Sequence, residues 1–236
     1  MVTIEESDDE KAIVTPEFRL KFRWLGDRWS HAIETPADPW ITLAESVEWQ
    51  SPVESPERVV SPTYQELHFQ EADDAVIALL VGAAGPHHFS ASVHVSWKIG
   101  RSPDPYNQGW EYPTTRMVFD VADRCRIENV DFECNYHIHE PPIKEHLGND
   151  RDVDAHGDLM RDWRARLDWT LRSEDSYKAM LSGVPSRRPK TTVAYANRVS
   201  VTRWQVRIAS PLSIEGSTRR MNYAWSHSVR QKIETK

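Results

Sequence analysis

The chain has 236 residues, 39% of them hydrophobic and ten of them tryptophan, with a net charge of −7. That composition describes a globular protein able to bury a full core, and it excludes a disordered chain or a disulfide-stapled miniprotein. No apolar run approaches the roughly 20 residues that span a bilayer, and the acidic N-terminus lacks the features of a secretory signal. The expectation is a cytoplasmic protein with no membrane partner, its two cysteines, Cys125 and Cys134, both reduced.

Charge is unevenly distributed. Residues 1–159 carry a balance of −17 and residues 160–236 a balance of +10. Such asymmetry fits a polyanion partner, or acidic and basic strands lying side by side in one fold.

Residues 1–17 hold six acids and one lysine, and they read as a flexible acidic tail preceding one all-β domain over 18–236. Phe18, Leu20, Phe22 and Trp24 alternate with basic residues, and Gly26-Asp27 then joins this strand to another over 28–34, as a hairpin. A strand is predicted between Trp40 and Trp49, a proline-rich connection over 51–62, and a further strand over 63–70. Ala75 to Val81 is continuously apolar and is expected to be buried on both faces. His88 to Ile99 alternates over its whole length.

Residues 100–113 are rich in proline and glycine and read as an aromatic loop carrying Tyr106, Trp110 and Tyr112. Strands follow over 114–121 and 126–139. In the second, Val130, Phe132, Cys134, Tyr136 and Ile138 share one face, while Asp131, Glu133, Asn135, His137 and His139 share the other. A long irregular segment over 140–158 comes next.

Strict alternation makes 160–171 a strand, and a short helix is predicted over 173–183, capped by Ser173 and stopped by Gly183. The apolar phase changes near Thr202, which implies a bulge or a turn between two strands, and a last strand holds Met221, Tyr223 and Trp225. About ten strands and one short helix define an all-β fold, an antiparallel two-sheet sandwich or a closed barrel.

Three constellations could carry function. His137 and His139 stand two apart on one face and could both reach one divalent transition metal, with His94 as a further ligand. The pair resembles the histidine pair of cupin barrels, but the cupin glutamate, glycines and prolines are missing at their spacings, so that family is not assigned. The arginines of the last third form the second constellation. Their aromatic neighbours alternate with them and so point the other way, which argues against nucleic acid. Arg164 and Arg166 could instead bind a small anion, or the arginines could pair with the acidic first half. The third is the aromatic loop, whose Tyr106, Trp110 and Tyr112 suit a sugar-like ligand.

Walker-type, dinucleotide and serine-elbow motifs are absent. The reading is non-covalent binding of a small ligand, without a cofactor. The alternatives are a metal-dependent enzyme built on His137 and His139, or an interaction protein without a small-molecule site. Oligomeric state is not legible.

Overall fold

The computed structural model describes residues 1–36, 39–50, 54–101, 110–128, 130–139, 169–173, 198–201, 205–209, 218–228 and 231–232. These form two sheets that face each other across one apolar core. The first sheet contains β1 (Thr3–Glu6), β2 (Glu10–Val14), β3 (Arg19–Trp24), β4 (Trp29–Thr35), β5 (Ile41–Ser46) and β6 (Arg58–Val59). The second contains β7 (Glu66–Ala72), β8 (Ala75–Ala84), β9 (His87–Arg101) and β10 (Trp110–Arg124). The chain returns to the first sheet as β11 (Asp131–Ile138), crosses to the second as β12 (Trp169–Ser173), and goes back as β13 (Arg198–Val201) and β14 (Gln205–Ala209). It ends in the second sheet with β15 (Thr218–Ser228) and β16 (Gln231–Lys232).

Strand order is β1-β2-β3-β4-β5-β11-β14-β13 in one sheet and β12-β15-β10-β9-β8-β7 in the other. Pairing is antiparallel except for β6 against β11. The fold is therefore a sandwich and not a closed barrel. No helix occurs among the described residues, and none there is long and apolar enough to cross a membrane.

Alternation explains which face of each strand is inside. Leu20 and Phe22 of β3, Val93 and Val95 of β9, Phe132, Tyr136 and Ile138 of β11, and Tyr223 and Trp225 of β15 are all buried in the shared core. Burying one such side chain stabilises the fold by roughly 1.5–3 kcal/mol. The predicted hairpin is present: Gly26 adopts φ 98°, and Leu25 donates to the Arg28 carbonyl between β3 and β4. The phase change near Thr202 falls between β13 and β14, which pair antiparallel with Val201 opposite Val206.

Several expectations need correction. The acidic N-terminus is not a tail: β1 and β2 pair with each other and β2 with β3, burying Ala12 and Ile13. Glu17 ties the two sheets together, accepting hydrogen bonds from Trp97 Nε1 at 2.8 Å and Thr115 Oγ1 at 2.5 Å. β8 is not buried on both faces, since Leu79 and Val81 remain exposed on its outer side. The loop over 100–113 is shorter than its composition implied, because β9 runs to Arg101 and β10 begins at Trp110. Ser173, the expected helix cap, instead ends β12. The rest of the predicted helix lies outside the described residues.

Gly82 shows why one strand position must stay bare. A Cβ there would stand 2.0 Å from the backbone oxygen of Thr63 and 2.7 Å from Tyr64 Cα. Gly82→Ala forces the 63–65 segment off β8 and is expected to destabilise the protein by about 1–3 kcal/mol, read by urea denaturation. An unchanged midpoint would show that the segment is free to shift.

Candidate functional site

Polar groups gather at two places inside the sandwich. The first is a cavity between the sheets of about 20 Å³, which is room for one or two waters. Phe22, Leu80, Val93 and Phe119 supply apolar walls, while His31, Tyr64, Cys134, Tyr136 and Tyr223 supply polar groups. The strands explain the convergence. His31 lies on the core parity of β4, Cys134 and Tyr136 on that of β11, and Tyr223 faces them from β15 in the opposite sheet.

His31, Tyr136 and Tyr223 form a hydrogen-bonded chain. His31 Nε2 stands 2.9 Å from the Tyr136 hydroxyl, and the Tyr136 hydroxyl stands 2.6 Å from that of Tyr223. Cys134 lines the same cavity. Tyr223 stacks on Phe119 at 4.8 Å, and Tyr136 meets Trp225 edge-on at 5.3 Å, so the rings have little freedom to turn.

Burial keeps the whole chain uncharged near neutral pH. Desolvation lowers His31 to about 4, raises Cys134 to about 12, and drives Tyr64, Tyr136 and Tyr223 well above the usual phenol range. At the edge of the cavity Glu48 accepts a hydrogen bond from Ser46 at 2.9 Å, and burial raises its carboxyl as well. Cys134 held as a thiol is a poor nucleophile, and a neutral His31 is poorly placed to donate a proton. The chemistry available here is hydrogen bonding.

The second cluster lies at the meeting of the start of β9, the end of β10 and the start of β15. His87, Asp123 and Cys125 are all buried there. Strand register makes the cluster: Arg124 pairs with His88, and Asp123 with Arg219. His87 Nδ1 lies 2.9 Å from Asp123 Oδ2, while Nε2 lies 2.6 Å from the Pro56 carbonyl and 4.0 Å from Cys125 Sγ. Arg219 donates to the Ile127 carbonyl at 2.6 Å, and its Nη1 stands 3.9 Å from Asp123 Oδ2. Trp49 packs edge-on against the imidazole at 5.4 Å, and Phe89 stacks on it at 5.6 Å.

The sequence-predicted residues are placed elsewhere. His137 and His139 do sit together, ring centres 5.0 Å apart, with His139 Nε2 3.5 Å from Glu45. His94 does not join them. It lies on β9 between the core residues Val93 and Val95 and so faces outward from the second sheet, while the exposed His137 faces outward from the first. Among the described residues, the one His, Cys or carboxylate group of three within metal-binding reach is His87, Asp123 and Cys125.

Trp110 and Tyr112 belong to β10, with Trp110 opposite Lys232 and Tyr112 opposite Gly100. Tyr106, Arg164 and Arg166 lie outside the described residues, as does the segment over 140–158. Of the other arginines, Arg207 pairs with Glu133 and Arg220 with Asp120, so basic and acidic strands do lie side by side. The sequence reading missed His31, Tyr136 and Tyr223 as a polar cluster because each sits on an apolar parity and reads as core. It missed His87, Asp123, Cys125 and Arg219 because only the pairing register brings them together.

Fold and site together define a two-sheet β-sandwich with polar clusters in its interior. No protein-family model matches the chain, and no curated protein or solved structure does.

Proposed function

We propose that this protein binds a very small, neutral, polar ligand, about the size of one or two waters, between its two sheets, at the cavity lined by His31, Tyr64, Tyr136 and Tyr223. The observation that carries this reading is the convergence of imidazole, phenol and thiol groups, all uncharged, on one internal space. Hydroxyls can each donate and accept, so the chain can reverse polarity to suit a ligand's alcohol, amide or carbonyl. Apolar walls on either side favour a compact molecule over an extended one. An anion is disfavoured, because the cavity lining carries no cation and Glu48 stands at its edge.

Thermal denaturation against the smallest alcohols and amides, methanol and formamide among them, tests it. A true ligand at 100 times its Kd stabilises the folded state by about 2.7 kcal/mol. Tyr136→Phe removes the central hydroxyl of the chain and is expected to abolish that stabilisation. General co-solvent effects would shift wild type and Tyr136→Phe equally. Equal shifts across the whole panel would therefore overturn the proposal.

A further inference from the structure

We propose that His87, Asp123 and Cys125 form a binding site for one divalent late first-row metal ion of the zinc type. One donor atom from each lies within 4.8 Å of the others, and all three side chains are buried. Sulfur, imidazole nitrogen and carboxylate oxygen form the mixed donor set that zinc accepts.

Three further features point to a cation. Asp123 Oδ1 is buried with no hydrogen-bond partner, an arrangement that costs free energy unless something fills it. The backbone N–H of Ile127 donates to Cys125 Sγ at 3.3 Å, which fixes the sulfur beside the other two donors. The Pro56 carbonyl holds His87 from Nε2 at 2.6 Å, leaving Nδ1 beside Asp123 Oδ2 at 2.9 Å to share an ion with it. A backbone carbonyl behind a ligating histidine is a recurrent means of orienting the ring.

Charge supports the assignment. Nε2 faces a carbonyl oxygen at 2.6 Å and so keeps its proton, while the 2.9 Å contact between Nδ1 and Asp123 Oδ2 needs one shared proton. A divalent ion that enters displaces that shared proton and the thiol proton of Cys125, because cysteine binds metal as the thiolate, so two protons leave for two positive charges gained. The net charge beside Arg219 is unchanged. Donors on a tetrahedral zinc stand roughly 3.5 Å apart, so donor atoms already within 4.8 Å of one another need only a modest closure. The site is separate from the cavity, whose lining includes none of these three residues.

Cobalt(II) titration of the full chain, stripped with chelator and kept reduced, tests the proposal. One equivalent should bind, with a thiolate-to-cobalt charge-transfer band in the near ultraviolet and release of two protons. Cys125→Ser should lose the band, while Cys134→Ser should keep it. If Cys125→Ser does not fold, band and proton release in Cys134→Ser decide alone, since Cys125 is then the one thiol present. No stoichiometric cobalt, or a band that survives in folded Cys125→Ser, would overturn the assignment. Cobalt bound without a thiolate band and lost in His137→Ala would place the ion on the His137–His139 pair and equally overturn it.

Discussion

Asp123→Ala is expected to lower the free energy of unfolding by about 3–5 kcal/mol, the usual cost of removing one partner from a buried charged network. Asp123 is wholly buried and stands between two groups that depend on it. His87 loses the acceptor at Nδ1, and Arg219, also buried, keeps the Ile127 carbonyl but no carboxylate. The damage extends beyond the pair. His87 holds the 56–59 segment through the Pro56 carbonyl, and Arg219 holds the turn at 125–128 through Ile127. Asp131 N also donates to the Glu57 carbonyl, so the same segments position the start of β11. Urea denaturation measures the effect. Asp123→Asn keeps the size and one acceptor and should fall between wild type and alanine. A loss under 1 kcal/mol for alanine would mean that water replaces the carboxylate and that the cluster contributes little.

Much of the fold was legible because strand parity is a local property. Phe132, Cys134, Tyr136 and Ile138 were read as one face of a strand, and all four are buried. Parity states a direction, however, and not what covers the outward face. Glu133 and Asn135 were read as polar-face residues, yet both are buried: Arg207 from β14 pairs with Glu133, and Ser61 Oγ accepts from the Asn135 backbone. The N-terminal hairpin was missed for a related reason. Its acids dominate the composition, while Ile13 is buried only because β3 lies beside it, opposite at Leu20. The end cluster is harder still, since residues 87, 123 and 219 meet through the β9–β10–β15 register. No spacing along the chain announces that.

Acidification is expected to remove about 3 kcal/mol of stability through His31 alone. Burial holds its folded-state value at about 4, against 6.5 for the free side chain. Above pH 6.5 both states are neutral and the contribution is fully present. As pH falls from 6.5 towards 4 the unfolded chain takes up the proton and the folded one does not, so the balance moves towards unfolding. Below about 4 both are charged and this residue adds no further loss. Glu48 opposes the trend, because burial raises its carboxyl and its protonation relieves a cost of the folded state. His31→Gln separates the two: glutamine can still bond to Tyr136 but does not titrate, so the pH slope attributable to position 31 should vanish while that of Glu48 persists. Equal slopes in wild type and His31→Gln would show that the imidazole reaches solvent. If His31 is indeed held neutral, protonation also ends its ability to accept from Tyr136, and the hydrogen-bonded chain through Tyr223 loses one of its two polarities. Ligand affinity of the folded protein should then fall only as pH approaches about 4, at the lower end of the interval over which stability is lost, because the folded ring takes up its proton there.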